Sequence, residues 1–533
     1  MSRRHSRLYA ALLAFGRLAA TVSTTGSADQ HEPTVLIEYL PMDLVCCDTT
    51  WSKTIITRTA FQLKGIYPDS WPNTQQVWDA TPGGQSQYLV WADWEPTKKA
   101  PPCAADEQEY DGHCFVIIPA VDAAIFAWTK QGRVTTAIVY GTPEWARGKG
   151  GCTAGIYCVP DDAADFGRFA GMLARRYNGL NGNGRIADFV LNREVGNVNY
   201  FNIGCGSGVP CDKASWIDKI AENYIAGYDA VFAEQSTAWV MTSIDNRFGL
   251  ELDDAPGGQL SGMTVLRGLA DKVGGRLWRV SINAYNKPGE AESSYFDFPY
   301  VTLGNIGVLV GWLYQQFPNV PQLRTVQLVE QGIPGRAPTF GVQERQLCVA
   351  YHNVLGTPGI ENYIYYQIQD QSQDLQEIGL HQSDGTPKPA WTKVFTSKLG
   401  CGFSELPFLQ LRLAYNGNTY ITSTRIPSNG YLGKAVWFIP RAQEPGTVML
   451  FECRLGETSF LTTDSKCDNQ LPYGPAGWIY TSQVPGSIPL YSCYNEAKLN
   501  YFLWAAEDCN GAPNTNLGVI GYAYLTRKGG LRK

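Results

Sequence analysis

Thr325-Val-Gln-Leu-Val-Glu-Gln-Gly332 decides the fold. Val326, Leu328 and Val329 form a short apolar run, with Pro318 and Pro321 before it and Gly332 and Pro334 after it. A run of that length between breakers predicts a buried strand that ends in a loop. Glu330 stands at its end, with no cation beside it in sequence. Either this glutamate caps the element, or it is a catalytic group of the kind that barrel enzymes hold at the carboxyl ends of their strands. A second segment has the same form. Asp188 to Asn192 reads Asp-Phe-Val-Leu-Asn, and Arg193, Glu194, Val195, Gly196 and Asn197 follow it.

Outward from these two segments, short apolar strands alternate with amphipathic helices from Pro33 to about Ser397. Strands are expected at Val35 to Tyr39, Tyr88 to Trp94, Val134 to Tyr140, Asp188 to Asn192, Trp239 to Ser243, Trp278 to Asn283, Thr325 to Gly332 and Tyr363 to Gln367. Phe115 to Pro119 leads into a helix near Ala123 to Lys130. Further helices are expected at Asp161 to Arg176, Trp216 to Ala233, Gly307 to Phe317 and Arg345 to Leu355. The first of these has Asp161 and Asp162 at its start and Arg175 and Arg176 at its end, which suits the helix dipole. Alternation of this kind implies right-handed crossovers and a parallel sheet. About eight units predict an α/β fold, a (β/α)8 TIM barrel over residues 33–400. The competing doubly wound sheet wants a glycine-rich phosphate turn after its first strand, and none is present.

In that scheme Glu194 ends strand four and Glu330 ends strand seven. Gly141-Thr-Pro-Glu-Trp-Ala146 ends strand three, and Tyr285 follows strand six. This order resembles the clan A retaining glycoside hydrolases, with family 39 and its relatives nearest, over roughly Phe115 to Gln369. The resemblance implies that Glu194 is the acid/base and Glu330 the nucleophile. It also implies that Tyr285 hydrogen-bonds the nucleophile and that the substrate is a poly- or oligosaccharide. Two glutamates suffice for retaining hydrolysis: one protonated carboxyl donates to the leaving oxygen, and the other attacks the anomeric carbon. No metal or organic cofactor is required. Trp145 is either a sugar-stacking wall or a core residue at the barrel rim.

One residue departs from the family pattern. The family places Asn before the acid/base, where it binds the sugar 2-hydroxyl; here that position is Arg193. Asn192 and Asn197 are the nearby amides able to take over the contact. If Arg193 follows the family path, its guanidinium enters the pocket. There it donates hydrogen bonds, accepts none, and suits a carboxylate best. Otherwise it turns out of the pocket. A reading from a different class is a noncatalytic carbohydrate-binding protein on a decayed glycosidase barrel.

The wider composition sets limits. With 533 residues the chain exceeds one ordinary domain. Hydrophobic residues are 44% and charged residues 17%, so a large core is expected and global disorder is not. A formal charge of −6 gives no support for nucleic-acid binding. The 15 Trp and 29 Tyr serve either a large core or a cleft that stacks on sugars. Residues 1–28 read as a signal peptide, with Arg3 and Arg4 ahead of a small, apolar stretch; a secreted protein is therefore expected. No later apolar run is long enough to span a membrane. Ten of the 14 Cys form short local pairs, Cys103/Cys114, Cys152/Cys158, Cys205/Cys211, Cys453/Cys467 and Cys493/Cys509. These predict disulfides rather than a metal site. Pairing of Cys46, Cys47, Cys348 and Cys401 stays open. A monomer is expected.

Residues 405–533 have another texture. Short aromatic strands separated by Gly, Pro and Asn recur about every forty residues. Tyr420, Phe460 and Phe502 match one another, as do Trp437, Trp478 and Tyr522. Three copies predict an all-β, trefoil-like module, either a sugar-binding domain or a ligand-free spacer. A chain cut near Gly400 is expected to keep hydrolysing small substrates.

Overall fold

The computed structural model describes residues 64–526, apart from 69–70, 72–73, 207, 251–257, 372–376, 398–400, 402–406 and 426–431. Eight parallel strands close a barrel: β1 Lys64–Ile66, β2 Gly84–Val90, β3 Thr135–Tyr140, β4 Asp188–Leu191, β5 Trp239–Asp245, β6 Arg279–Asn283, β7 Val326–Gln331 and β8 Ile360–Tyr365. Each strand pairs with its neighbours in chain order, and β8 closes on β1. Helices follow the first seven strands: α1 Gln75–Ala80, α2 Pro119–Lys130, α3 Ala163–Arg176, α4 Lys213–Glu234, α5 Gly262–Ala270, α6 Gly307–Gln316 and α7 Phe340–Leu355.

The barrel closes through strands within the described residues; the strand expected at Val35 to Tyr39 lies outside them, as do the expected signal peptide, Cys46 and Cys47. The first strand is instead the three residues Lys64–Ile66. The expected Tyr88 to Trp94 strand is shifted: β2 starts at Gly84, and Trp91–Trp94 is one helical turn. The segment around Phe115 belongs to a two-stranded hairpin outside the barrel, Glu107–Tyr110 with His113–Val116. In α3, Asp162 is the N-cap and accepts from Ala164 N, while Arg175 and Arg176 occupy the last turn.

Inside the barrel, a polar layer lies under an apolar one. Asp188 accepts from Gln327 Nε2 at 3.1 Å and Thr136 Oγ1 at 3.3 Å, and Gln327 in turn accepts from Asn362 Nδ2 at 2.8 Å. Above them Ile138, Val190, Met241 and Val329 pack together. Tyr88 and Tyr140 border that layer.

Among the described residues, six disulfides are present. All five local pairs form, and Cys348–Cys401 ties α7 to the end of the barrel domain.

The rest of the chain is antiparallel. Its strands are β9 Phe408–Tyr415, β10 Tyr420–Ser423, β11 Leu432–Pro440, β12 Thr447–Leu455, β13 Thr458–Thr462, β14 Pro472–Tyr480, β15 Ser487–Asn495, β16 Asn500–Trp504 and β17 Asn514–Tyr524. One pairing pattern occurs three times. A long strand pairs with a short hairpin partner and with a later return strand: β9 with β10 and β11, β12 with β13 and β14, β15 with β16 and β17. The register repeats too. Leu411, Met449 and Pro489 face Trp437, Trp478 and Tyr522. Four residues further on, Tyr415, Cys453 and Cys493 face Tyr420, Phe460 and Phe502.

This module and the barrel share a buried seam. From Gly307 to Leu313 every residue of α6 is buried. A Cβ on Gly307 would stand 2.1 Å from Tyr473 O, and one on Gly311 would stand 2.8 Å from the Gly474 Cα. Glycine is what lets the helix lie flush on β14. Behind it Glu452, wholly buried, pairs with Arg425 and accepts from Tyr295 OH, Ser423 Oγ (2.7 Å) and Ser459 Oγ (2.8 Å). Arg425 also donates to Pro475 O at 3.0 Å and to Thr357 Oγ1 at 3.4 Å. Tyr295 and Thr357 are barrel-domain loop residues, so a single buried ion pair stitches both halves. The seam bears on the expected independence of a barrel cut near Gly400: such a cut would bare the buried face of α6 and remove Glu452 from Tyr295.

Candidate active site

The site forms where β4, β6 and β7 end. A regular strand sends neighbouring side chains to opposite faces, yet Arg193 and Glu194 both reach the barrel mouth. The backbone explains this. Asn192 (φ 63°) and Glu194 (φ 43°) are left-handed, which breaks the alternation directly after β4. Such backbone is uncommon for residues other than glycine and clusters at functional sites. Neighbours hold the turn: Asn192 N donates to Val139 O (2.8 Å), Val195 N to Ser243 O (3.0 Å) and Asn197 N to Glu194 O (2.8 Å).

On β7 the device is a bulge. Tyr363 of β8 pairs with Leu328, but Tyr365 pairs with Gln331, so β7 carries one extra residue between the two registers. Val329 can then fill the interior layer while Glu330, its neighbour, also faces the site.

Asn283, the last residue of β6, joins the two glutamates. Its Nδ2 donates to Glu194 Oε1 at 2.9 Å and to Glu330 Oε2 at 3.3 Å. All three are buried, with Glu330 only 1% exposed. Tyr285 OH donates to Glu330 Oε1 at 3.0 Å, and Arg193 Nη2 donates to the same oxygen. Asn197 Nδ2 approaches Glu194 Oε2 at 3.4 Å, a marginal bond. Asp245, at the end of β5, is a third buried carboxylate. It is committed to Arg247 (3.0 Å to the backbone N, 3.1 Å to Nη1) and to Gln259 Nε2 (3.2 Å).

These surroundings separate the two glutamates chemically. Burial, reinforced by the charges of Asp245 and Glu330, pushes the Glu194 carboxyl up to about 8; Arg193 and the Asn283 hydrogen bond act in the opposite direction. Glu194 therefore holds a proton at neutral pH. Glu330 instead receives donors from Tyr285, Arg193 and Asn283, which suits the lone pairs of a carboxylate. Burial, then the Glu330 charge, raises the Tyr285 hydroxyl well above its ordinary value, so it remains a donor. Burial is the strongest single influence and opposes the charge on Arg193, but Glu330, Tyr88, Glu194 and Tyr200 together outweigh it and the guanidinium stays charged.

Four of the expected site residues, Glu194, Glu330, Arg193 and Tyr285, converge here, with Asn197 at the edge. Trp145 is engaged elsewhere. Its Nε1 donates to Glu95 O at 2.8 Å, Trp91 meets its ring edge-on at 5.5 Å, and Lys98 Nζ lies 4.8 Å above it. Tyrosines flank the site. Arg193 lies 4.4 Å from the Tyr200 ring and 5.6 Å from the Tyr88 ring, and Tyr140, Tyr157 and Tyr366 continue the wall. Asn283 ends an expected strand and Asp245 lies just past another, but neither residue type nor position in the sequence points to a role. Among the described residues, Cys103, Glu107 and Cys114 group like metal ligands, but the two Cys form a disulfide and Glu107 pairs with Lys99.

Residues 161–397 match a family described as a family of unknown function, DUF5722. No curated protein matches the chain. Among solved structures, the chain is similar to a family 39 glycoside hydrolase from the gut symbiont Bacteroides cellulosilyticus WH2. Identity there is 13%, coverage 88% of this chain and 81% of that one, and the TM-score 0.46. It is also similar to the family 1 β-glucosidase from Thermotoga maritima (10% identity, 60% and 83% coverage, TM-score 0.40). A GH5_18 protein from Bifidobacterium longum subsp. infantis is a third (12% identity, 63% and 77% coverage, TM-score 0.40).

Proposed function

We propose that this protein is a secreted retaining glycoside hydrolase that cleaves a poly- or oligosaccharide by double displacement. The observation that carries the reading is the shared amide of Asn283, bonded to Glu194 at 2.9 Å and to Glu330 at 3.3 Å. One nitrogen so bonded holds those two oxygens within about 6 Å of each other. Retaining enzymes keep their carboxyl groups about 5–5.5 Å apart, whereas inverting enzymes keep them about 6.5–9.5 Å apart to admit a water.

In the first step Glu194, protonated, donates to the departing glycosidic oxygen while Glu330 attacks the anomeric carbon. A glycosyl ester forms on Glu330 and the aglycone leaves with the proton. Glu194, now ionised, takes a proton from water, which attacks the ester and releases the sugar with its configuration retained. Tyr285 holds the Glu330 carboxylate in place, and Asn283 fixes both groups to one frame. Six disulfides support an extracellular setting. The threefold strand pattern of residues 408–524 supports a trefoil-like module fused to the barrel.

A second reading, a noncatalytic carbohydrate-binding protein, is favoured by one observation: Arg193 lies on Glu330, the group that has to attack. A broad panel of aryl glycosides and polysaccharides separates the two. Hydrolysis by the wild type and its loss in Glu330→Gln supports the enzyme. Glycan binding with no hydrolysis supports the binder.

A further inference from the structure

We propose that Arg193 selects a sugar carrying a carboxylate, so that the substrate is a glycan containing a uronic acid. The inference rests on the hydrolase reading and names the substrate class of the same site.

The first argument is charge. Retaining hydrolysis passes through a transition state with positive charge on the sugar ring, which the attacking carboxylate stabilises. Here the carboxylate of Glu330 already bears a cation on its Oε1. With Glu194 protonated, Glu330 and Arg193 sum to zero. Asp245 does not shift this balance, because Arg247 pairs with it. With a neutral sugar, the negative charge that balances the ring then arises only as Glu194 gives up its proton to the leaving oxygen. A sugar carboxylate beside Arg193 restores one negative charge, and by competing for the guanidinium it loosens the hold on the nucleophile.

The second argument is donor capacity. A guanidinium offers five N–H groups in a planar fork, a geometry that matches a carboxylate. Nη2 serves Glu330, while Nε is buried with no hydrogen-bond partner among the described residues. The Tyr88 hydroxyl, on the neighbouring wall, is likewise buried without one. Tyr200 and Tyr88 flank the guanidinium, so it is held for recognition rather than spread into solvent. A neutral hydroxyl needs no such cation. An amide would serve it.

The test is a ratio. Paired aryl glycosides, glucuronide against glucoside and galacturonide against galactoside in both anomers, are compared by kcat/KM for wild type, Arg193→Gln and Arg193→Lys. A 6-sulfated glucoside forms a third arm, because sulfate is also an anion. The wild type should prefer a uronide over its neutral partner by roughly 10- to 100-fold, the size of one charged hydrogen-bonded contact. Arg193→Gln should erase that preference, and Arg193→Lys should keep only part of it. Faster turnover of neutral sugars by the wild type, or an unchanged ratio in Arg193→Gln, overturns the inference and leaves the hydrolase reading standing. A preference for the sulfated sugar overturns the carboxylate assignment. If nothing is hydrolysed, binding of free glucuronate and glucose to the wild type decides. Tighter uronate binding that is lost in Arg193→Gln keeps the uronate site and ends the hydrolase reading. Equal or absent binding ends both.

Discussion

Glu194→Gln should stabilise the protein, by an amount set by pH. In the folded chain burial pushes this carboxyl from 4.5 to about 8. One pKa unit corresponds to about 1.36 kcal/mol. A group whose pKa is raised by folding costs nothing below its unfolded value, and stability is lost as pH rises towards the folded value. The penalty thus begins near pH 4.5, reaches about 3 kcal/mol at pH 7 and levels off at about 5 kcal/mol above pH 8. Glutamine keeps an oxygen for the Asn283 amide and cannot ionise, so it removes the penalty without opening a cavity. The assay is urea unfolding followed by tryptophan fluorescence at pH 4.5, 6, 7 and 8.5. The variant and wild type should nearly coincide at pH 4.5, and the variant should gain steadily above it. A difference that is flat with pH, or largest at low pH, would refute the idea that Glu194 is a buried, neutral acid.

Other consequences are as concrete. Arg425→Ala should cost about 3–5 kcal/mol in the same assay, because it leaves Glu452 buried without its cation; a change under about 1 kcal/mol would show that the pair is not the stitch between the two halves. A chain ending at Gly400 should be insoluble or unfold at much lower urea than the whole protein, and a fully active, monodisperse fragment would contradict the seam at α6. Asn283→Ala should lower kcat by about 100-fold or more while leaving KM within a few-fold, as for the loss of one preorganised donor; comparable kcat in the variant would show that the bridging amide is incidental. On poor leaving groups, kcat should fall as pH rises through about 8, where Glu194 loses its proton, and this limb should vanish for aryl leaving groups that need no acid.

Much of the barrel was legible because the decisive strands are uniform. Phe189, Val190 and Leu191, and Leu328 and Val329, are buried in a parallel sheet and so read as continuous apolar runs. The failures have local causes. Lys64–Ile66 is three residues long and holds a glycine, too little for any pattern. Helix α5 is not among the expected helices, although Ser261 caps it at Thr264 N and Val265, Leu266 and Leu269 mark its buried side. Gly262 and Gly268 obscured that signal. At the site, the residue types at the ends of β4 and β7 could be picked from sequence, but the reason they converge could not. The left-handed turn at Asn192 and Glu194 and the bulge in β7 are tertiary outcomes. Asn283 shows the same limit, since its role consists of reaching two residues, 89 and 47 positions away. Trp145 shows it in reverse: a suggestive residue beside the right strand whose indole is tied to Glu95.

Double displacement requires Glu330 to form a covalent bond to the sugar. The direct measurement is labelling by a panel of 2-deoxy-2-fluoro glycosyl fluorides, uronic and neutral, followed by mass spectrometry of the digested protein. One added glycosyl group is expected on the peptide that carries Glu330, absent in Glu330→Gln and released slowly on standing in water. A label on Glu194 or Asp245, or turnover of a glycoside with inverted configuration and no labelled Glu330, would contradict it.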